Sequence, residues 1–289
     1  MMKFILAARR KPEDTQERYF YEWGVIHVAL MVSNPSTLQV FKRYAQHYTI
    51  NGVPGDLLWH PFSDMGWDNM ADHWLERFDD IAVSVRSADY VQRMQPHKFG
   101  DSHFAVELTG GRVLHEEPGF QNGGVKLIHF LRKRPELSQE EFDRRWKDEH
   151  APVVLDALRS AGILRKYVQS PRLPLDPAMF KGTLFEAGGV GLHGGIEEFW
   201  FRSLDDLARL RNDPAAWERI RSSDRRLTAQ SGSFAMVTTE RVVFDFATPG
   251  LNTPTPAVLT QGTFEAMIEA QGYTGFNIPR PPGAAPGTK

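Results

Sequence analysis

Between Ser138 and Val154 the residues Phe142, Trp146, His150 and Val154 recur every fourth position, while Asp143, Arg144, Arg145, Lys147 and Asp148 fill the gaps. Side chains four apart stack on one face of a helix, so this spacing predicts an amphipathic helix with a charged outer side. Ser138 with Glu141 three residues on is a capping box, which satisfies amides at the helix start. Just before it, Val125–Arg132 reads as a strand. His150 therefore stands on the inward stripe, one turn beyond Trp146, and is the strongest lead to chemistry.

The pattern occurs twice. A shift of 123 residues (135 − 12) pairs Pro135 with Pro12, Trp146 with Trp23 and His150 with His27, and carries Tyr167 and Gln169 onto Tyr44 and Gln46 without a gap. One register held through a Trp, a His and a Tyr marks an internal duplication. In the first copy Lys3–Ala8 reads as a strand, and a helix from Thr15 carries Tyr19, Trp23, His27 and Met31 on one face until Asn34-Pro35-Ser36 stops it. Thr37–Ile50 contains the next strand, with Tyr44 and Gln46 on one side and His47 on the other. Gly52–Phe78 is specific to this copy. Its His60, Asp64, Asp68 and Asp72 are spaced by four, but Pro61 and Gly66 interrupt any helix there, so loop-capping carboxylates are expected rather than a metal site. Asp80–Val85 reads as a strand, Arg86-Ser87 as the start of a helix, and His103–Leu108 with Arg112–Glu116 as a final strand or hairpin around Gly110-Gly111.

The second copy repeats the order: strand Val125–Arg132, the capped helix, then strand Arg165–Ser170. Pro171–Gly195 is a Pro/Gly-rich excursion whose GGVGLHGG lacks the Lys-Ser/Thr ending of a phosphate cradle, so a mobile loop is expected. Ile196–Phe201 is the third strand, Arg202-Ser203 matches Arg86-Ser87, and Phe234-Ala235 and Arg241-Val242 answer Phe104-Ala105 and Arg112-Val113. Each copy is thus β-α-β-β-α-β, a ferredoxin-like unit with one bare sheet face. The expected fold is α+β: two fused repeats, 1–118 and 124–247, burying those faces against one another, followed by a Pro/Gly-rich arm, 248–289.

Composition narrows the function. The net charge is −2 and there are no cysteines. Nucleic acid and anionic membrane are therefore not expected partners, and thiolate catalysis and Cys-ligated metals are excluded. The apolar stretch in MMKFILAARRKPED is too short for a signal segment and no run approaches a membrane span, so a cytoplasmic location is expected.

VKLIHFLRKRPELSQEEFDRRWKDEHAPVV resembles the opening of EthD-type domains: a strand ending in basic-Arg-x-Pro, then a helix with Phe-x3-Trp-x3-His-x-Pro. Arg165–Ser170 resembles the family's Tyr-x-Gln strand. The first copy keeps Trp23, His27, Tyr44 and Gln46, has Tyr19 for Phe, and lacks the Pro after His. The resemblance implies a dimeric α+β barrel, made here within one chain, and a cofactor-free enzyme: a cyclase, decarboxylase or dehydratase-like lyase, as in aromatic catabolism, or a quinone-forming monooxygenase.

His150 and His27 are the candidate general acid–bases, since imidazole exchanges protons efficiently near neutral pH. Burial beside Trp146 is expected to keep His150 neutral. Tyr167 and Tyr44 are candidate donors to a developing oxyanion. Trp146, Trp23 and His129 are candidate substrate contacts, the substrate being a small hydrophobic, aromatic or polyketide-like molecule. The structural alternative makes His150 a packed helix-end residue and the chain a non-catalytic small-molecule binding protein. A second copy of the chain is a candidate partner, and the intact motif favours the second half as the working pocket.

Overall fold

The computed structural model describes residues 1–32, 34–59, 66–94 and 99–248. Ten strands form one sheet: β1 (Met2–Arg10), β2 (Arg43–Thr49), β3 (Asn69–Leu75), β4 (Gly100–Thr109), β5 (Arg112–Glu116), β6 (Val125–Leu131), β7 (Lys166–Pro171), β8 (Gly189–Val190), β9 (Gly195–Phe201) and β10 (Phe234–Asp245). Their order is β5-β7-β9-β6-β10-β2-β3-β1-β4-β8. Within the first half the strands lie β2-β3-β1-β4, and within the second β7-β9-β6-β10, the same pattern. The halves meet where the end of β10 pairs antiparallel with β2, Val242 opposite Ala45. At the far side β5 pairs with β7, Thr109 bridges to Arg172, and the Leu173 amide donates to the Leu108 carbonyl at 2.8 Å. The sheet therefore curls until its outer strands touch. Of the two readings of β4 and β5, a final strand or a hairpin, the first holds. They are one path broken at Gly110-Gly111, pairing first with β1 and then with β7.

Alternation along the strands divides the sheet into two faces. One carries an apolar cluster that includes Ile5, Met70, Ile128, Phe130, Ile196 and Phe234. Beside it runs a buried ion network. Lys126 lies 2.6 Å from Glu198 and 3.2 Å from Glu240, Lys3 lies 2.5 Å from Glu198, and Arg43 lies 2.7 Å from Glu240 and 3.1 Å from Asp72. Such charges survive burial only because each meets opposite partners at hydrogen-bond distance. The other face is covered by helices and holds two larger apolar cores, one per half.

The two long helices, residues 16–32 and 139–160, each contain a π turn, Glu22–His27 and Trp146–His150. Each turn is clamped from the adjacent strand. Gln46 Nε2 donates to the Trp23 carbonyl at 3.2 Å and to the Tyr44 hydroxyl at 2.9 Å; Gln169 does the same to Trp146 at 3.1 Å and Tyr167 at 2.8 Å. That shared clamp gives the recurring Tyr-x-Gln a common structural part in both halves.

Three local readings change. Pro35–Val40 is helical, capped by Asn34, and the strand begins only at Arg43. Asp79–Arg86 is a helix, not a strand; acidic residues in its first turn and an arginine in its last suit the helix dipole. The strand expected there is β3, inside the supposed insertion, so Arg86-Ser87 does not correspond to Arg202-Ser203. The Pro171–Gly195 excursion is packed. Phe180 and Phe185 are buried, and β8 lies parallel to β4. His60 and Asp64 lie outside the described residues, while Asp68 pairs with Arg10 and Asp72 with Arg43. The expected C-terminal arm lies almost wholly outside the described residues.

The connections cross over. Phe180 and Phe185, from the second half, pack on Phe4 of the first at ring distances of 5.9 and 5.7 Å. Conversely Leu58 and Trp59 of the first half join the apolar core of the second.

Candidate active site

A cavity of about 530 Å³ lies on the helix-covered face of the first half. β1 contributes Phe4, Leu6 and Ala8, β3 contributes Asn69, Ala71 and His73, and the helix 16–32 contributes Trp23, His27 and Met31. Residues 183–187 close it from the second half. Its walls are mainly apolar and aromatic, with Asp101 and Glu186 among the few charged groups. That is the composition of a pocket for a flat organic molecule held by a few polar contacts.

Trp23 and His27 reach the cavity because the π turn lies over it. The Trp23 ring lies 4.8 Å from Tyr48 and the His27 ring 4.7 Å from Phe99. His73 was missed in the sequence because it falls in the segment read as an insertion. Its ring stacks on Tyr44 at 4.6 Å and 11°, and its Nδ1 lies 3.2 Å from the Phe4 carbonyl. A carbonyl can only accept, so Nδ1 carries the hydrogen and Nε2 is the basic nitrogen. Burial lowers the pKa to about 4, so the ring is neutral at ordinary pH. Tyr44 sits behind His73 and does not line the cavity, and burial pushes its hydroxyl pKa upward.

The second half brings its expected residues together in another way. His150, Trp146, Tyr167 and His129 converge on Glu197. His150 Nε2 lies 3.3 Å from Glu197 Oε1 and 3.5 Å from Asp224 Oδ1, and Nδ1 is hydrogen bonded to Ser223 Oγ at 2.9 Å. Trp146 Nε1 and the Tyr167 hydroxyl donate to Glu197 Oε1 at 2.5 and 2.8 Å, and His129 Nδ1 lies 3.5 Å from Oε2. Burial would lower the His150 pKa, as its position beside Trp146 suggested, but Glu197 and Asp224 outweigh that and raise it. The same burial would raise the Glu197 pKa, and His150 drives it far down instead.

Trp59 lies edge-on to His129 and Phe199, each at 5.1 Å, over this cluster. The cavity described above lies in the first half, whereas the intact motif favoured the second. Glu197 was also missed. Its signal was Glu197-Glu198 inside an apolar strand, where consecutive residues must face opposite sides. The register makes Ala71 the first-half counterpart of Glu197: Met70 faces Ala7 on β1 as Ile196 faces Phe130 on β6, and Ala7 precedes Phe130 by the 123-residue offset.

Comparison with known proteins adds family and fold. Residues 134–230 match the EthD domain. A protein named chalcone isomerase cfoK, from Aspergillus candidus, is 18% identical over 237 residues, spanning 80% of this chain and 92% of its own. The crystal structure of an anthrone oxidase-like protein superposes with a TM-score of 0.50 at 12% identity, over 86% of this chain and 96% of that one. A putative monooxygenase from Fusobacterium nucleatum gives a TM-score of 0.46 at 6% identity, over 83% and 93%. The fold is a mixed α+β arrangement with one large sheet and several helices, similar to that of the anthrone oxidase-like protein. No helix among the described residues is long and apolar enough to cross a membrane.

Proposed function

We propose, from the match of residues 134–230 to the EthD domain, that the chain is two fused ferredoxin-like units, 1–118 and 124–247, closing an intramolecular barrel. In this reading the first unit's cavity is the active site of a cofactor-free isomerase, cyclase or lyase acting on a planar aromatic, polyketide-like molecule. The observation that carries it is the cavity itself, which sets Trp23, His27 and His73 around an aromatic-walled space of about 530 Å³. Alignment with a chalcone isomerase over nearly all of that protein supports the substrate class and a reaction that only moves protons and closes or opens a ring.

Each side chain has a role that its position permits. The aromatic walls hold a flat ring system by stacking, worth about 0.5–1.5 kcal/mol per aromatic pair beyond burial. His73, neutral and tied through Nδ1, accepts a hydrogen bond from a phenol at Nε2 and orients it. His27 takes a proton from a phenol or an acidic carbon and returns it as the bond pattern shifts. The sealed second unit then serves as scaffold.

The test is turnover and binding on one set of proteins, with a hydroxylated chalcone as probe. Binding should quench Trp fluorescence and raise Tm. His27→Gln should keep affinity within about threefold and lose about 10²–10⁴-fold in kcat. Binding without turnover by the unaltered protein would favour the small-molecule binding reading. A probe that neither binds nor reacts would remove this substrate class.

A further inference from the structure

We propose that His150, Glu197 and Asp224 bind one divalent transition-metal ion, of the Zn²⁺ or Mn²⁺ class, in the second half of the chain. One atom from each of the three, an imidazole nitrogen and two carboxylate oxygens, lies within 4.8 Å of the others. Two of the three edges, 3.3 Å from His150 Nε2 to Glu197 and 3.5 Å to Asp224, match those of a tetrahedron. Bonds of about 2.0–2.2 Å to nitrogen and oxygen place neighbouring ligands about 3.3–3.6 Å apart.

The surroundings are those of a ligand set. Ser223 Oγ holds His150 Nδ1 at 2.9 Å, which fixes the ring with Nε2 toward the carboxylates. An outer hydrogen bond of this kind orients metal-bound histidines and selects their tautomer. Trp146 Nε1 and the Tyr167 hydroxyl hold one Glu197 oxygen, and His129 Nδ1 lies 3.5 Å from the other.

All three groups are buried, at exposures of 0% for His150, Glu197 and Asp224, so an ion held by them would be shielded from water. The sheet does not need Glu197 for its own sake, since the first half builds the corresponding strand with Ala71 at that position. Because the site is sealed, the ion is a structural one, taken up as the chain folds. It fastens the helix 139–160 to the helix Pro214–Arg225 and to β9.

The experiment reads metal content and stability, not activity, so it stands or falls separately from the cavity's chemistry. The full chain is stripped with chelator, refolded with Zn²⁺, Mn²⁺ or Co²⁺, dialysed, and assayed by elemental analysis and thermal melting. About one ion per chain is expected, with a Tm rise and, for Co²⁺, the intense visible bands of four-coordinate geometry. Glu197→Gln and Asp224→Asn should each lower affinity at least about 10-fold, while His115→Gln, on the outer surface, should not. If the variants fail to fold, Co²⁺ titration of the unaltered chain decides by its spectrum. Two results overturn the proposal: less than about 0.1 ion per chain with no Tm change at ~100-fold excess metal, or binding that survives both carboxylate substitutions.

Discussion

Protonating His73 would put a charge between Tyr44 and Phe41, with its Nδ1 hydrogen already committed to the Phe4 carbonyl. Its folded pKa of about 4 lies below the ordinary histidine value of 6.5, so neutral His73 contributes stability that is fully present above about pH 6.5. That contribution is lost as pH falls from there toward 4, and a shift of this size amounts to at most about 3 kcal/mol. The register counterpart of His73 is Phe199, on which Tyr167 stacks at 4.4 Å and 15°. His73→Phe should therefore fold, and its Tm should fall less between pH 7 and 5 than that of the unaltered chain. Parallel melts across that range check it. His150 calls for the opposite outcome from His27: His150→Gln should cost about 3–5 kcal/mol in urea unfolding, because it leaves carboxylates buried without their partner, while turnover per folded molecule stays near normal. The inward aim of His150 was legible from spacing alone. Its environment was not, because Glu197 and Asp224 arrive from elements remote in sequence.

At the scale of elements, the Tyr-x-Gln strands act as clamps on the π turns, and this makes a prediction about both halves. Gln169→Leu keeps the volume but leaves the Trp146 carbonyl and the Tyr167 hydroxyl each short of a donor or acceptor. A loss of about 1–3 kcal/mol in chemical unfolding is expected, and Gln46→Leu should cost a similar amount. Gly195 has a related part: a β-carbon there would come within 2.4 Å of the Trp146 ring. Gly195→Ala should therefore destabilise by about 1–3 kcal/mol through overpacking. The two long helices were legible because their inner faces are apolar at the helical period. β3 was not, because its barrel-side position Asp72 is ionised and its helix-side positions include Asn69 and His73. An alternation of hydrophobic and polar cannot be seen where both faces carry polar groups. The run Ile81-Ala82-Val83 looked more strand-like, but only one side of that helix is buried.

At the scale of the molecule, the strand order β2-β3-β1-β4 recurs as β7-β9-β6-β10, and the 123-residue offset is the ground for proposing a duplication. What it could not anticipate is the crossing of the two excursions, since neither has a counterpart in the other copy. Trp59 finishes the core of the second half, and Phe180 and Phe185 finish that of the first. Expressed separately, 1–118 and 124–247 should lack cooperative thermal transitions by circular dichroism, and co-expression should restore one. A sharp melt from either piece alone would contradict this.

The crossing also separates two properties that most enzymes encode together. The groups proposed to move protons belong to residues 1–118, while Thr183, Leu184, Phe185 and Glu186, which close the same cavity, belong to the segment that matches the EthD domain. Under the proposed function, substrate preference would be inheritable by cassette. Replacing residues 177–187 with the corresponding stretch of a relative would change which molecules are admitted while leaving the reaction as it is.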